Sequence, residues 1–538
     1  MTELTYNFDA VDALFSEWNK PDSPGCAIAI IHRGQQLYRR GYGMANLEYA
    51  IPISEKSVFD VGSMSKQFVA MCIALLARQG KLSLDDEIQK FIPELRNYKY
   101  SITIRHLIHH TSGLRDYLTL MDLAGLRFEN EYPDEEIIGL IARQKELNFR
   151  PGDEFLYCNT GYLLLAEIVK RSSGMSLREF ADGIIFAPLE MKNTFFHDDF
   201  SEIVKNRAVG YSPAESGGFR ICMSIFDVVG DGGVHTTTDD LCLWDANFYH
   251  NIIGGYGQDF IEEITSPGKL NSGQALDYAF GLEISTYRGL KTIGHGGAWM
   301  GYRSEMTCFP EHQFSVVCLS NIRSVDLSRI VRQISDVFLA EEFKAPKAMN
   351  PENQQQFIKI ASSEMEAKSG FYRNSKTGAI WKLTVQAGEL IAEVSEMRFK
   401  ISPTSLRHYR SVGTTFEICI EFEIHSPPSP VLMNIQIEGG QPHVLEKIDI
   451  VPLGTEQLTD YLGDYYSEEL CQHFQFLKEC DSLILDRKNS KREVLEVVSR
   501  DLLKGVHHSF EFIRNANNEV LGFNLGAGRV KNIHFVKQ

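Results

Sequence analysis

The chain has 538 residues, which is too long for one hydrophobic core and predicts about three to four domains. Hydrophobic residues make up 43% and charged residues 23%, so the composition is that of a globular protein and excludes general disorder. The net charge of −17 argues against nucleic acid and anionic membrane surfaces as partners.

The N-terminal sequence MTELTYNFDAVDALFSEWNK has no basic start and no continuous apolar run. It predicts a short amphipathic helix and not a secretory signal. No stretch reaches the ~18 to 20 apolar residues that a membrane span needs. The ten cysteines lie in apolar surroundings without a Cys-x-x-Cys pair, which favours buried free thiols in a reducing compartment. We therefore expect a cytoplasmic protein, with export by another route left open.

The first part of the chain predicts an α/β domain. PGCAIAIIHRGQQLYRRGYGMAN alternates like two antiparallel strands. Helical periodicity follows in SMSKQFVAMCIALLARQGKLSL, which stops at Gly80, and in TGYLLLAEIVKRSSG, which stops at Gly174. KTIGHGGAWMGYRSEMTCFPEHQFSVVCLSN predicts paired strands, and VDLSRIVRQISDVFLAEEF predicts an amphipathic helix. Strands at both ends indicate a sheet that the C-terminal strands close.

The remainder of the chain predicts two small antiparallel β-barrel domains. KAPKAMNPENQQQ has the prolines and the glutamine run of a linker. After it, a shift of 93 positions aligns Gly370 and Tyr372 with Gly463 and Tyr465, and later apolar residues match as well. The predicted bounds are 1–344 for the α/β domain, 345–357 for the linker, 358–454 for the first barrel and 455–538 for the second.

Ser-x-x-Lys occurs at Ser63–Lys66 and at Ser266–Lys269. The second copy contains Pro-Gly and predicts a turn. The first opens a helical pattern, in which residues i and i+3 share a face. A serine hydroxyl needs a base, and lysine can serve only if its pKa falls from ~10.4 to about 7, a difference of roughly 4.6 kcal/mol. Taken alone, the motif is better explained as a capping serine with a solvated lysine, and only its context favours catalysis.

Tyr-x-Asn occurs three times, at Tyr157–Asn159, Tyr249–Asn251 and Tyr372–Asn374. Only the first lies between a Pro-Gly turn and a helix, in a loop that can direct a phenol and an amide into a cleft. There Tyr157 would relay protons, and Asn159 would bond Lys66 or a substrate carbonyl. The last copy precedes a literal Lys-Thr-Gly at residues 376–378, beyond the linker, and its NSKTG sequence is typical of a β-turn.

His-x-Gly in IGHGGAWMGYRS lies on a predicted strand late in the α/β domain. Gly296 and Gly297 after His295 would let a substrate backbone approach the strand edge. The backbone N–H of Ala298 is then suited to complete an oxyanion hole with that of Ser63. A further His-x-Gly at His32 falls in the opening hairpin turn.

VGSMSKQF, LYCNTGY and IGHGG, in this order, resemble the motifs of the penicillin-recognising serine hydrolases. This group includes class C β-lactamases, DD-peptidases, esterases and D-aminopeptidases, and the resemblance extends over about residues 8–344. It implies a β-lactamase-like domain with an antiparallel sheet flanked by helices and a helical subdomain. It also implies Ser63 as the acylated nucleophile, Lys66 and Tyr157 as general bases and His295 on the substrate-binding strand. The two following β-domains resemble the architecture of bacterial D-aminopeptidases.

The third motif departs from the pattern of many β-lactamases and DD-peptidases, which have Lys-Thr-Gly there. Their lysine helps to hold a substrate carboxylate, whereas a histidine is largely neutral at pH 7. The departure favours amides or esters without that carboxylate, including N-terminal residues of peptides.

Three functions are therefore left open. The first is an acyl-enzyme hydrolase of small amides or peptides, of D-aminopeptidase type. The second is a carboxylesterase or weak β-lactamase, and the third is a slowly deacylating β-lactam- or peptide-binding protein or an inactive scaffold. We expect no cofactor and no metal, since His106 and His110 have no evident third ligand. The sequence leaves a homo-oligomer open.

Overall fold

The computed structural model describes residues 7–344, 357–375, 377–395, 397–414, 417–423, 432–437, 442–448 and 457–538. They divide into two units. The first contains residues up to 114, 127–142 and 149–347, and the second contains 115–126, 143–148 and the chain from 348 onward. Residues 345–356 of the predicted linker and the predicted boundary at 454/455 lie outside the described residues, so the predicted domain bounds stay predictions.

The first unit is built on a six-stranded antiparallel sheet, which confirms the predicted closure by C-terminal strands. Its strands in spatial order are Glu283–Tyr287, Leu290–Trp299, Tyr302–Phe309, Phe314–Ser320, Cys26–His32 and Gln35–Tyr42. Two neighbouring inner strands, Phe314–Ser320 and Cys26–His32, carry nearly continuous apolar runs and are buried almost throughout. Such runs are expected where both faces of a sheet are covered.

Helices cover the sheet and form the rest of the first unit. The α-helices are Phe8–Leu14, Lys66–Arg78, Ile104–Ile108, Asp134–Ala142, Asn159–Ser173, Leu177–Ala181, Thr238–Tyr249, Gln258–Ile264 and Leu327–Phe338. The short helical turns are Gly62–Ser65, Ile88–Lys90, Asp182–Phe186, Ile253–Gly255 and Pro310–His312. Short strands pair Met44–Asn46 with Ile51–Pro52, Val234–Thr236 with Phe59–Asp60 and Phe195–Phe196, and Tyr211–Pro213 with Phe219–Ile221. Among the described residues, no helix is long and apolar enough to cross a membrane.

The second unit contains two closed antiparallel barrels of eight strands each, as the repeat predicts. The strands of the first barrel are Gly370–Arg373, Ile380–Gln386, Glu389–Val394, Met397–Pro403, His408–Val412, Ile418–Glu423, Leu432–Ile437 and His443–Ile448. Those of the second are Gly463–Ser467, Gln472–Glu479, Ser482–Arg487, Glu493–Ser499, Leu502–Lys504, Ser509–Arg514, Val520–Ala527 and Val530–Lys537. The helices of this unit are Tyr117–Leu123, Ser362–Glu366 and the 3-10 turn Gln457–Tyr461.

The two barrels begin with the same local structure. Tyr372 and Tyr465 are both fully buried, and each phenol donates to the carbonyl oxygen four residues before it, at 2.8 and 2.9 Å. The amine of Lys447 lies over the ring of Tyr372 at 5.8 Å, and that of Lys537 lies over Tyr465 at 5.6 Å. The leading tyrosine of the sequence repeat is therefore a structural residue of each barrel.

Residues 115–126 and 143–148, which lie about 200 residues before the predicted linker, belong to the second unit. The sequence does not predict this. Arg115 is fully buried and donates to the carboxylate of Glu469, which is 3% exposed, at 2.5 Å. The same guanidinium donates to Gln144 at 3.0 Å and to the carbonyl oxygen of Asn532 at 2.8 Å. The backbone N–H of Lys145 also donates to Glu469, at 2.7 Å. Hydrogen bonds on both charged groups are what a buried ion pair requires.

Candidate active site

Ser63 lies in a 3-10 turn, Gly62–Ser65, which leads directly into the helix Lys66–Arg78. Gly62 has a positive φ of +51°, and its N–H donates to the carboxylate of Asp60 at 2.8 Å. A Cβ at Gly62 would lie 2.8 Å from the backbone nitrogen of Ala298, so both the backbone conformation and the space require glycine. Ser63 is half-buried between buried neighbours, which leaves its side chain partly accessible.

Lys66 extends from the first turn of this helix toward Ser63 and is fully buried. Its Nζ lies 2.9 Å from Ser63 Oγ, 3.0 Å from Asn159 Oδ1 and 2.6 Å from the carbonyl oxygen of Asp231. Burial disfavours the ammonium form of a lysine, whereas hydrogen bonds to acceptor oxygens favour it. The three oxygen atoms fix the position of the amine beside the serine hydroxyl.

The second Ser-x-x-Lys has a different structure. Ser266 Oγ donates to the carbonyl oxygen of Glu262 at 2.5 Å, one turn back at the end of a helix. Lys269 follows the Pro-Gly pair and forms an isolated bridge with Ala275. The turn predicted from Pro267 and Gly268 therefore agrees with the local geometry, and the helical register of the first copy is absent there.

The Tyr157–Asn159 segment enters the site as an extended loop that becomes the helix Asn159–Ser173. The ring of Tyr157 lies 4.9 Å from Lys66 Nζ. His110 supports the loop, because its ring lies 4.2 Å from that of Tyr157 and its Nδ1 accepts a hydrogen bond from the N–H of Cys158 at 3.1 Å. The tyrosine ring and the asparagine amide of the motif thus both lie close to the Lys66 amine.

The strand Leu290–Trp299 packs against the turn that carries Ser63. A Cβ at Gly297 would lie 1.9 Å from the carbonyl oxygen of Val61, so this close approach requires glycine. Ser304, which pairs with Gly297 on the neighbouring strand, donates to the same carbonyl oxygen at 2.7 Å. Ala298 is exposed at the strand edge. The predicted proximity of the third motif to the nucleophile is therefore present in the fold.

His295 is only 3% exposed, and protein groups engage both of its ring nitrogens. Its Nδ1 donates to the carbonyl oxygen of Gly296 at 2.5 Å, and its Nε2 accepts from the phenol of Tyr278 at 3.0 Å. Burial lowers the pKa of His295, and the charge of nearby Lys66 lowers it further, against an opposing contribution from Glu283. The imidazole is therefore neutral at pH 7. Because protein groups already engage both of its nitrogens, substrate binding at this motif would use backbone atoms of the strand.

Asp60 is a buried carboxyl group next to the nucleophile. Burial raises the pKa of Asp60, the hydrogen bond from the N–H of Gly62 lowers it and the charge of Asp231 raises it, with a net value of about 7. A carboxyl of this kind binds a proton near neutral pH.

The predicted residues come together around Lys66: Ser63, Tyr157, Asn159, and the strand residues His295, Gly296, Gly297 and Ala298. Three contributors were missed. Asp231 acts through its backbone carbonyl oxygen, and a pattern of side chains gives no signal for a backbone atom. Tyr278 lies in DYAFG, which carries no motif, and the sequence favours a structural role for His110 without placing it beside the Tyr-x-Asn loop.

His106 lies in the helix Ile104–Ile108, and His110 lies two residues after its end. Each of them contacts other protein groups. His106 completes a capping box with Thr103 at the helix N-terminus. His110 holds the Tyr-x-Asn loop as described. Within the described part of the chain, no group of three or more His, Cys, Asp or Glu side chains is arranged to hold a metal ion.

Comparison with known proteins assigns the first part of the chain to one family. The family model for Beta-lactamase matches residues 11–337. The chain is 31% identical over 309 residues to penicillin-binding protein 4* of Bacillus subtilis, covering 54% of this chain and 66% of that protein. It is 30% identical over 299 residues to a D-aminopeptidase of Gluconobacter oxydans, covering 55% of this chain and 56% of that protein. The matches thus span between about half and two thirds of these relatives' lengths.

A solved structure resembles a larger part of the chain. The octameric penicillin-binding protein homologue from Pyrococcus abyssi has a TM-score of 0.58 and 24% sequence identity, and the alignment covers 82% of this chain and all of that one. At this identity the likeness concerns the fold.

Proposed function

Because the chain belongs to the Beta-lactamase family, we propose that it is a serine hydrolase that acts through an acyl-enzyme on Ser63. The observation that carries the proposal is the buried Lys66 amine, 2.9 Å from Ser63 Oγ. That separation is within hydrogen-bond reach, as transfer of a proton between a nucleophile and its base requires.

In the proposed reaction Lys66 takes the proton of the Ser63 hydroxyl as Oγ attacks the substrate carbonyl. The backbone N–H groups of Ser63 and Ala298 bind the oxyanion that forms. Tyr157, next to the amine, passes a proton to the leaving group, and the same groups activate water for deacylation. Asn159 holds the amine and contacts the substrate.

We propose small amides or short peptides as substrates, with release of an N-terminal residue. The relative named D-aminopeptidase supports this choice. So does the neutral His295, because it provides no cation at the third motif for a substrate carboxylate. The relative named penicillin-binding protein favours a second candidate, a protein that is acylated but releases its acyl group slowly.

The test is a panel of D- and L-aminoacyl nitroanilides, short-chain nitrophenyl esters and a chromogenic cephalosporin. We expect turnover of the anilides by the native protein and none by Ser63→Ala, with Ser266→Ala as the matched control that retains turnover. Full activity in Ser63→Ala would overturn the mechanism. Turnover of esters alone would favour an esterase, and a stable adduct on Ser63 without turnover would favour the binding protein.

The remaining expectations stay predictions: a cytoplasmic location, the absence of nucleic-acid and membrane partners, and the oligomeric state.

A further inference from the structure

The face of the strand that meets the nucleophile turn continues past the predicted oxyanion residue. Side chains alternate along a strand, so His295, Gly297 and Trp299 share one face. Gly297 on this face lies against the carbonyl oxygen of Val61, two residues before Ser63. Trp299 is therefore the first large side chain on the site face, directly after Ala298.

Trp299 is part of a cluster of three half-buried rings, which we call the aromatic wall: Phe128, Phe226 and Trp299. The ring centroids are 5.3 Å apart for Phe128 and Trp299, 6.0 Å for Phe226 and Trp299, and 5.9 Å for Phe128 and Phe226. Half-exposed rings in mutual contact leave an apolar surface that a further ring can cover.

The rings come from separate segments, and their positions in the chain and one hydrogen bond relate these segments to one another and to the site. Phe226 lies five residues before Asp231, whose carbonyl oxygen accepts from Lys66 at 2.6 Å. Ser224, two residues before Phe226, donates to the carbonyl oxygen of Phe128 at 2.5 Å. Two rings of the wall therefore lie on chain segments that contribute to the site: Trp299 on the strand that carries Ala298, and Phe226 on the segment that leads to Asp231.

We infer that the aromatic wall receives the side chain of the substrate's acyl group. The preferred substrate then carries a bulky apolar side chain, best an aromatic one, next to the scissile carbonyl. The inference rests on the proposed acyl-enzyme function, because the position of the scissile carbonyl follows from Ser63 and Ala298. Burial of apolar area and ring-to-ring contact supply the selectivity.

The kinetic test compares phenylalanyl and alanyl nitroanilides, in both stereoisomers, by kcat/KM. We expect the native protein to prefer phenylalanine by about 10-fold or more. Trp299→Ala and Phe226→Ala should each lower kcat/KM for the phenylalanyl substrate by about 10- to 100-fold and that for the alanyl substrate by less than about 3-fold. Trp299→Phe should restore most of the preference.

Phe195→Ala is the matched control, because Phe195 is a half-buried ring in another cluster, with His197 and His235. It should leave the ratio unchanged. Equal use of the two substrates, or an equal loss on both in the wall variants, would overturn the inference while the proposed function stands.

A second measurement does not depend on turnover. Calorimetric titration of Ser63→Ala with phenylalanine amide and alanine amide should give at least about 10-fold tighter binding of the former. The difference should vanish when Trp299→Ala is added. Absence of turnover in the whole panel, without acylation of Ser63, would count against the proposed function. Equal binding of the two amides would count against the aromatic wall.

Discussion

Tyr-x-Asn at residues 157–159 and at 372–374 is the same short sequence in two regions with different surroundings. In the first, the amide oxygen of Asn159 lies 3.0 Å from the Lys66 amine, and the tyrosine ring lies 4.9 Å from it. In the second, Asn374 holds a turn by accepting from the N–H of Thr377 at 2.8 Å, and Tyr372 donates to a carbonyl oxygen inside its barrel.

The difference shows that partners, and not the motif, determine what these side chains do. A phenol beside a buried amine can move a proton, whereas a phenol satisfied by a backbone carbonyl stabilises the fold. The literal Lys-Thr-Gly after the second copy does not change this, although Lys376 itself lies outside the described residues.

The two Ser-x-x-Lys copies differ most in the position of the lysine: the amine of Lys66 lies beside its serine hydroxyl, whereas Ser266 donates to a backbone carbonyl oxygen. Lys66→Ala should lower kcat by about 10³-fold or more, because the serine loses its base, whereas Lys269→Ala should stay within about 2-fold. Steady-state rates on an aminoacyl nitroanilide check both. Lys66→Met, which preserves most of the buried volume, separates loss of the base from loss of packing. Activity near the native level in Lys66→Met would contradict the assignment.

The two tyrosines should respond in different measurements. Tyr157→Phe should lower kcat by about 10²-fold with little change in thermal stability, since only the proton relay is lost. Tyr372→Phe should leave kcat unchanged and cost about 1 kcal/mol of unfolding free energy, because a buried carbonyl oxygen loses its donor. Rates and chemical denaturation of both variants provide the check. A loss of activity in Tyr372→Phe would contradict the purely structural role assigned to Tyr372.

The polar residues that hold the two turns differ in their response to pH. The pKa of Asp60 is raised from 3.8 to about 7, so between these values the folded protein binds a proton that the unfolded chain does not. Its contribution to stability is present at low pH and is lost as pH rises toward 7. Asp60→Asn keeps an acceptor for Gly62 and should flatten this slope, by at most about 1.4 kcal/mol per pH unit.

Asn374→Ala is the matched variant, since Asn374 does not titrate and holds the turn in the barrel. It should lower stability by about 1 kcal/mol at every pH. Denaturation at pH 5, 6, 7 and 8 measures both variants. An unchanged slope in Asp60→Asn would assign the pH dependence to other buried carboxyls.

Local patterns predicted the elements and the convergence of the motifs. The helix after Ser63 and the helix that ends at Gly174 lie where periodicity and glycine place them, since both signals are local. The barrel repeat was visible because the buried tyrosine and the strand alternation recur at a constant spacing. The roles assigned to Ser63, Lys66 and Tyr157 stay predictions until the variants are measured.

The contacts that patterns did not predict depend on backbone atoms or on distant chain segments. The carbonyl oxygen of Asp231 fixes the Lys66 amine irrespective of the side chain at that position. His295 occupies a motif position, but its pairing with Tyr278 follows from burial in the folded chain. Residues 115–126 belong to the second unit, where Arg115 pairs with Glu469, 354 residues away.

That separation has a consequence for biosynthesis. At roughly 5 to 20 residues per second, Arg115 is added to the growing chain about 20 to 70 s before Glu469. During that time Arg115, just before the helix Tyr117–Leu123, lacks the carboxylate with which it pairs in the folded protein. This part of the fold can therefore form only after Glu469 has been made. A chain cut at the linker would keep Arg115 but never receive Glu469. Cleavage within the predicted linker, residues 345–357, would therefore leave Arg115 without the carboxylate that pairs with it in the folded protein.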